Sequence, residues 1–244
     1  TYRIVTKHVF PEACCIADHY HIIQELNRRV DKVRIRVQNR FRKTINTLKP
    51  KNNNKTITPE ELIELEEASR YYYVLKKFNW LLASTNKKIL DVNVERRFNH
   101  RLNRYLNYSE ILAYMLNIDD ELEEAFYLRN DVTYFYDHCT YDTAKKQLEK
   151  IIIDFRSSTV AEMSPFANTL TNWKKEIINS FIIVDDKANR KMNTAIVENR
   201  NKSIKLLKHA SNGYLNWERF RNRILYTLNE DTTFYYTSIR KDGK

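Results

Sequence analysis

The sequence has very little glycine and proline, the two residues on which most tight turns depend. Only Gly213 and Gly243 occur among 244 residues, and there are four prolines. Sandwiches and barrels of short strands need many such turns, because their chains reverse direction every few residues. The scarcity argues against these all-β architectures and predicts a mainly α-helical protein.

Cysteines and long apolar segments are also scarce. The cysteines Cys14, Cys15 and Cys139 have neither the number of a disulfide framework nor the spacing of a metal-binding motif. They are typical of a reducing compartment, so we expect a cytoplasmic protein. No stretch approaches the roughly 20 apolar residues that span a bilayer, and no signal peptide is visible. We therefore expect no membrane partner.

The sequence has an excess of positive charge. Lysine and arginine number 42 against 31 aspartates and glutamates, which leaves a net charge of +11. A surplus of this size favours a polyanionic partner, and nucleic acid is the commonest one. The alternative is an ordinary solvated basic surface, which charge alone does not exclude.

The most strand-like segment lies near the start of the chain. Residues 13–17 read Ala-Cys-Cys-Ile-Ala, a short apolar run that predicts a buried strand. Asp18 and His21 follow it, at the kind of strand end where ligands and metals bind in α/β folds. The two side chains could share a metal ion or a hydrogen bond. Alternatively, Asp18 caps the next helix and the histidine is half buried.

A long amphipathic helix is predicted from Ile22 onward. Apolar residues recur at spacings of three and four, and basic side chains lie between them over residues 28–43. Arg28, Arg29 and Arg36 are candidate DNA contacts, which would bind phosphates in a salt-sensitive and sequence-independent way. The alternative is a solvated basic face.

Helical periodicity continues through most of the chain. A cap at Thr58 followed by Pro59 starts one helix, and Gly213 ends another. The predicted helices after the first span residues 59–82, 93–106, 109–117, 119–137, 143–156, 165–181, 193–213 and 216–228.

One predicted helix has a polar face with the groups that a phosphodiester site needs. Glu198, Asn201 and Lys205 are spaced by three and four residues, so a carboxylate, an amide and an ammonium share one face. The carboxylate can bind a metal ion while the other two groups hold phosphates. The more common alternative is a solvated face with Glu and Lys in loose contact.

In their order along the chain, these motifs resemble the signatures of the ISL-three-type insertion-sequence transposases. The first block is Phe-Pro-Glu-Ala at residues 10–13 with Asp-His-Tyr-His at residues 18–21. Residues 75–82, with Leu-Lys and Trp-Leu-Leu, match a second landmark. Residues 166–181 and 197–223 match the aromatic and the glutamate-containing segments near the family's C-terminus. The resemblance covers essentially the whole chain.

The resemblance implies an RNase H-like α/β catalytic domain interrupted by a large all-helical insertion, with this mainly α chain as its C-terminal portion. Residues 1–25 would be the RNase H-like remnant, with the strand and the D-x-x-H motif. Residues 26–183 would form the helical insertion. Residues 184–244 would supply the C-terminal RNase H-like helices that carry the catalytic glutamate.

The resemblance also implies a reaction. Two aspartates and one glutamate hold two divalent ions, usually Mg²⁺, for attack of water or a 3′-hydroxyl on a DNA phosphodiester. Glu198 maps onto that glutamate, as catalytic residue and metal ligand. Asn201, Lys205 and Lys208 map onto the polar positions beside it and are candidate DNA contacts.

Asp18 and His21 map onto a supporting motif of the family rather than onto its catalytic acids. Both catalytic aspartates are therefore expected upstream of Thr1, and this chain alone is expected to be inactive. The chain also departs from the family pattern in ways that fit a decayed or truncated element. The glycine, asparagine and arginine of the pattern are replaced by Asn199, Lys202 and His209.

Two functions follow from these observations. In the first, the chain is part of an enzyme that cleaves and transfers DNA strands at the ends of an insertion sequence. In the second, it is a non-catalytic helical DNA-binding or dimerisation module that regulates transposition. The expected partners are DNA at the transposon ends and further copies of the chain. Abundant Asn, Lys, Ile and Tyr indicate an AT-rich bacterial genome, and the expected setting is the nucleoid in the cytoplasm.

Overall fold

A computed structural model describes residues 2–49, 57–185, 190–191, 195–211 and 213–228 of the protein. Within these residues the chain is mainly α-helical, which confirms the prediction from composition. None of the helices in this part of the chain is long and apolar enough to cross a membrane. The α-helices are α1 (Tyr2–Val9), α2 (His19–Leu48), α3 (Pro59–Lys77), α4 (Tyr108–Leu116), α5 (Asp120–His138), α6 (Tyr141–Ser157), α7 (Phe166–Asn172), α8 (Lys174–Asn179), α9 (Ala195–Ala210) and α10 (Trp217–Leu228).

The chain divides into two compact units, Thr1–Met192 and Asn193–Lys244. The first unit contains α1 to α8, and the second contains α9 and α10. The residues of the buried hydrophobic cluster lie between Ile22 and Phe181, so this core belongs to the first unit. The first unit also contains a 3₁₀-helix and two antiparallel hairpins: Asn79–Ala83, then β1 (Arg97–Asn99) with β2 (Arg104–Leu106), and β3 (Ile183–Asp185) with β4 (Arg190–Lys191).

The longest helix, α2, organises the first unit. Its residues Ile22, Leu26, Val30, Val33 and Val37 follow the spacing that predicted the helix, and all five are buried. This stripe faces α3 and α5, the two helices that α2 contacts most. Burial of one such side chain stabilises the fold by about 1.5–3 kcal/mol relative to exposure. The stripe therefore fixes which polar residues of α2 can reach solvent.

Helix α3 begins where the sequence predicted. The backbone N–H of Glu61 donates to the Thr58 hydroxyl at 3.2 Å, and the Glu61 carboxylate accepts from the Thr58 N–H at 3.1 Å. This reciprocal capping box gives hydrogen-bond acceptors to two backbone N–H groups that have no partner within the helix. Pro59 suits the first helical position, because proline has no N–H and an N–H at this position would have no partner within the helix. The helix ends at Lys77, before the 3₁₀-helix.

Residues 93–106, predicted as a helix, form the β1–β2 hairpin instead. The two strands pair with Phe98 opposite Tyr105. The Oδ1 atom of Asn99 accepts from two backbone N–H groups of the turn at 3.1 and 3.2 Å. Asn103 has a left-handed φ of 50°. Asparagine side chains that bond nearby backbone compete with helix formation, which is why the helical prediction was wrong here.

The strand predicted at residues 13–17 is also wrong. The segment pairs with no strand among the described residues. Instead, the Ala17 N–H donates to the Glu176 carbonyl at 2.9 Å, and the Asn179 amide donates to the Cys15 carbonyl at 2.9 Å. An apolar run next to a helix lacks the ladder partner that a strand needs.

The larger assignments that came from the resemblance remain predictions. The described residues form two separate two-stranded sheets, β1–β2 and β3–β4, and these do not test an RNase H-like fold with a helical insertion. The predicted domain boundaries after residues 25 and 183 are likewise untested.

The described part of the second unit contains a helix pair, α9 and α10, and Gly213 between them matches the sequence prediction. Gly213 has a φ of 96°, in the region that favours glycine, and its N–H donates to the Lys208 carbonyl at 3.0 Å. This bond ends α9 in the manner typical of a C-terminal glycine. The ring of Tyr214 stacks on Phe220 of α10 with centroids 4.7 Å apart, which holds the start of α10 against the turn.

Candidate active-site residue and nucleic-acid interface

Helix α9 presents the four residues that the sequence predicted to act together. Glu198 lies in its first turn, and Asn201, Lys205 and Lys208 follow at intervals of three, four and three residues. At 3.6 residues per turn these positions fall within a sector of about 80°. All four side chains are exposed. A macromolecular substrate could therefore contact the carboxylate, the amide and both ammonium groups at once.

Charge is separated along this face. Glu198 is at the N-terminal end of α9, where the helix dipole favours a carboxylate, and Lys208 and His209 lie in the last turn, where it favours cations. The arrangement stabilises the helix by itself. It also separates the Glu198 carboxylate, which can bind a metal ion, from the Lys208 ammonium, which can bind a phosphate. The two residues are ten positions apart on the α-helix, a length of about 15 Å.

The described residues do not assemble a complete metal site around Glu198. They contain no group of three or more His, Cys, Asp or Glu side chains that could hold an ion. A two-ion site needs several oxygen ligands, and Glu198 is one carboxylate. The residues present therefore do not fit the expected Mg²⁺ pair by themselves.

Asp18 caps helix α2, which is the capping alternative that the sequence left open. Its carboxylate accepts from the Tyr20 N–H at 2.8 Å and lies 3.4 Å from Nδ1 of His19. The Asp18 side chain is only 8% exposed. His21 is exposed, with its ring 5.6 Å from that of Tyr20. Capping gives Asp18 a structural role, and it leaves the predicted supporting role with His21 untested.

Tyr136 of α5 lies beside this cap and was not singled out from the sequence. Its ring is 5.7 Å from that of His19 and stacks on Phe181 at 5.6 Å. Burial raises the pKa of the Tyr136 phenol, and the Asp18 carboxylate raises it further. The hydroxyl has no hydrogen-bond partner among the described residues. A lone tyrosine at helical spacing predicts only core packing, so no sequence signal marks this polar group.

Two of the three basic candidates on α2 are engaged inside the first unit. Arg36 forms a bidentate pair with Glu162 at 2.8 and 2.9 Å and also pairs with Glu121. These bonds raise the pKa of Arg36 and lower that of Glu162. Arg29 donates to the Glu162 carbonyl at 2.6 Å, and its guanidinium carbon lies 5.2 Å from the centre of the Phe166 ring. Both arginines hold α2 against the segment that leads into α7.

Arg28 is the α2 candidate best placed for an external anion. Its side chain is 62% exposed, and its Nη1 atom lies 3.6 Å from a carboxylate oxygen of Glu25, a weak surface pair. Lys32 and Lys43 are also exposed and lie around a shallow depression on the same face of the helix. Arg28, Lys32 and Lys43 therefore form an exposed basic stripe on α2 that is open to an external anion.

A second group of exposed cations lies on the β1–β2 hairpin. Arg97, Arg101 and Arg104 are all exposed. The sequence analysis predicted a helix over this segment and did not single out these arginines. A usable signal was nevertheless present, since residues 96–109 contain four arginines and no aspartate or glutamate.

Comparison with known proteins gives one match. The model of the ISL-three-type family, described as transposase, matches residues 1–224. No curated protein and no solved structure matches significantly. The match includes the first unit, α9 and most of α10, so it confirms the resemblance inferred from the ordered motifs.

Proposed function

The chain belongs to the ISL-three-type transposase family, and we propose that it takes part in metal-dependent cleavage and transfer of DNA strands at the ends of an insertion sequence. The observation that carries this proposal is the exposed face of α9, with Glu198, Asn201, Lys205 and Lys208 in one sector. In the proposed arrangement, α9 belongs to an RNase H-like catalytic domain and residues 26–183 are its helical insertion.

The proposed roles follow from the chemistry of the four side chains. Glu198 would be one carboxylate ligand of the divalent ions, for which Mg²⁺ is the expected metal. Such ions stabilise the charge that develops when a phosphodiester is cleaved. Asn201, Lys205 and Lys208 donate to phosphate oxygens and fix the position of the DNA strand on the helix face.

The experiment is a cleavage assay with the complete transposase on labelled DNA that carries the transposon ends. Glu198→Gln keeps the size of the side chain and removes its charge. We expect it to lower the rate at least about a hundredfold, because a lost metal ligand costs several kcal/mol in the transition state. Glu218→Gln is the matched control, since Glu218 is exposed in the first turn of α10. Equal rates for the two variants would refute the assignment.

The second candidate function is a non-catalytic module that binds DNA and regulates transposition. The exposed stripe of Arg28, Lys32 and Lys43, together with the net charge of +11, favours DNA binding whether or not cleavage occurs. Cleavage that depends on Glu198 would rule this candidate out for the complete protein. Duplex binding without any Glu198-dependent cleavage would support it.

Both candidates require electrostatic DNA binding. A protein that contacts six or more phosphates loses about a thousandfold in affinity or more between 50 and 200 mM salt. We expect a comparable loss for this chain on duplex DNA, measured by fluorescence anisotropy. An affinity that does not change with salt would contradict both candidates.

A further inference from the structure

We propose that the β1–β2 hairpin and the cleft beside it bind unpaired nucleotides of DNA, through residues other than those of the α9 face. The inference rests on the proposed function only in taking DNA as the polyanionic partner. The hairpin site is defined by Arg97, Phe98, Arg101 and Tyr105. Four properties support it: charge, exposed aromatic rings, a cleft of suitable size, and a basic track that leads away from it.

Most arginines of the hairpin segment have no ion-pair partner within the described part of the chain. Arg96 pairs with Glu110 at 2.5 Å. Arg97, Arg101 and Arg104 form no ion pair with any carboxylate of the described residues. Elsewhere in the first unit, arginines such as Arg36 are paired with acids across the structure. Three unpaired guanidinium groups on one short hairpin favour an anion from outside the protein.

The hairpin also exposes aromatic rings beside these cations. Phe98 and Tyr105 face each other across the strands with ring centroids 5.0 Å apart, and His100 lies 4.9 Å from Phe98. Phe98 is 40% exposed and Tyr105 is 67% exposed. The same hairpin buries Leu102, so it does reach the core. The hairpin thus buries Leu102 but leaves the rings of Phe98 and Tyr105 exposed. Exposed rings of this kind are suited to stacking on flat apolar groups of a ligand.

A cleft lies between the hairpin, the end of α3 and the start of α4. Its volume is about 590 Å³, within the range of roughly 300–1,000 Å³ typical of small-ligand sites. Phe78 and Tyr108 are among its lining residues, while Lys77, Arg101 and a single acid, Glu95, contribute charges. The cleft thus offers aromatic surface for one nucleobase and cations for its phosphate.

The cations continue beyond the cleft. A neighbouring depression is lined by Arg42 at the end of α2, by Lys76 and Lys77 of α3, and by Arg101 of the hairpin. Arg101 lies over one ring of this region, with its guanidinium carbon 5.9 Å from the centre of the Tyr73 ring. A strand whose base enters the cleft could therefore place its next phosphates along this track.

Exposed rings distinguish unpaired nucleotides from duplex DNA. In a duplex the faces of the bases are stacked on each other and cannot reach an aromatic side chain. In a single strand every base has a free face, and base–aromatic stacking changes affinity by about 1–3 kcal/mol per base. Arginine adds phosphate binding and cation–π contact. The hairpin combines both kinds of group on a short, hydrogen-bonded scaffold.

The main test compares two DNA ligands on the full 244-residue chain by fluorescence anisotropy. One is a duplex with a twelve-nucleotide single-stranded overhang (a length of about one OB-fold site), and the other is the blunt duplex. The double variant Phe98→Leu/Tyr105→Leu keeps apolar strand residues and removes both rings. We expect about a tenfold loss on the overhang ligand and less than a twofold change on the blunt duplex.

Matched controls separate stacking from general effects. Tyr134→Leu removes another exposed ring, which stacks on His138 of α5 and is distant in sequence from the hairpin. Arg101→Gln is compared with Lys146→Gln, which removes one exposed charge from α6. We expect Arg101→Gln to weaken overhang binding more than Lys146→Gln does, and Tyr134→Leu to leave it unchanged.

A second measurement needs no variant and guards against misfolding of the altered hairpin. A 2-aminopurine base placed in the overhang is quenched when it stacks on an aromatic ring. We expect quenching on binding of the unaltered chain at overhang positions and none at duplex positions. Equal quenching at both positions, or none, would overturn the proposal.

The remaining outcomes are also decisive. Overhang affinity that is equal for the double variant and Tyr134→Leu means that the two rings only stabilise the hairpin, and the proposal is then wrong. Competition by polyglutamate but not by single-stranded DNA would assign the surface to an acidic protein segment. Glu198-dependent cleavage with no effect of the hairpin variants would refute this inference alone. Failure to bind any DNA would refute the proposed function as well.

Discussion

At the scale of single residues, the arginines of this chain show how far burial and pairing separate side chains that look alike in sequence. Arg34 and Arg129 are buried, Arg36 joins two acids, and Arg28 is open to solvent. All four contribute equally to the net charge of +11. Only the open ones can contribute to binding of an external polyanion, so the usable positive surface is smaller than the composition indicates.

Arg129 provides the first prediction. It is 2% exposed and donates to Asn27, to Asn130 and to the carbonyl of Ala83, all of them uncharged, at 2.8–2.9 Å. Burial lowers its pKa. We expect Arg129→Met to lower the free energy of unfolding by about 2 kcal/mol, because it leaves buried acceptors without a donor. Urea denaturation measures this change, and an unchanged midpoint would show that the three bonds contribute nothing net.

The second prediction concerns the pH dependence of the Arg36–Glu162 pair. The pair lowers the pKa of Glu162, so the folded state binds its proton less readily than the unfolded chain does. Its contribution is therefore complete above the ordinary Glu pKa of about 4.3 and is lost as the pH falls below that value. We expect Glu162→Gln to cost about 1 kcal/mol at pH 7 and progressively less as the pH falls below about 4.3. A cost that stays constant over this range would contradict the assignment.

At the scale of elements, capping residues correctly predicted where helices begin and end. The prediction from apolar spacing was wrong where side chains form hydrogen bonds with the backbone. The capping box at Thr58 and the C-terminal glycine at Gly213 both act as the sequence predicted. Residues 93–106 carry a helical apolar spacing, yet Asn99 and Asn103 turn the chain into a hairpin. Apolar spacing alone is therefore a weaker guide than turn chemistry over such short segments.

Asp18 provides the third prediction, because its cap and its predicted supporting role can be separated. Asparagine caps helices about as well as aspartate, whereas alanine does not. We expect Asp18→Ala to lower the free energy of unfolding by about 1 kcal/mol and Asp18→Asn to change it by less than about 0.5 kcal/mol. Thermal unfolding followed by circular dichroism measures both. Reduced cleavage by Asp18→Asn in the complete transposase, at unchanged stability, would show that the carboxylate has a role beyond capping.

The hairpin gives the fourth prediction. Asn103 has a φ of 50° and so occupies the left-handed region. Most side chains destabilise this conformation by about 1 kcal/mol through their Cβ atom. Glycine has no Cβ atom, and Asn and Asp adopt the conformation more readily than other residues. We expect Asn103→Ala to speed hydrogen exchange of the amides at residues 97–106 severalfold and Asn103→Gly to leave it nearly unchanged. If both variants exchange alike, the turn does not depend on this conformation.

At the scale of the whole molecule, stability and charge are distributed unequally between the two units. The buried cluster lies between Ile22 and Phe181, whereas α10 has no buried residue. Residues 193–244 carry ten lysines and arginines against five acids, which is about half of the net charge in about a fifth of the chain. The first unit therefore supplies the hydrophobic stability, and the second is rich in groups that can contact DNA.

The fifth prediction follows from this distribution. A chain that ends at residue 192 keeps every residue of the buried cluster. We expect it to unfold cooperatively with a Tm within a few degrees of that of the full chain, measured by differential scanning calorimetry. A truncated chain that melts without a cooperative transition would show that the first unit does not fold by itself. The same truncation should weaken duplex binding, since it removes five net positive charges.

The sequence by itself determined the family, the mainly helical class and most helix positions. Amphipathic spacing and caps involve residues at most four positions apart, so they are visible in any window of the chain. The face of α9 was predictable for the same reason, since Glu198, Asn201 and Lys205 are neighbours on one helix.

The tertiary structure decided which of the predicted side chains are available. The Arg36–Glu162 bond joins residues 126 positions apart, and the bond between Arg129 and Asn27 spans 102. No local pattern encodes such pairs, because they depend on how α2 packs against the rest of its unit. The same packing engages Arg29 and Arg36 of α2 inside the first unit, and it leaves Arg28 and the arginines of the hairpin open to solvent.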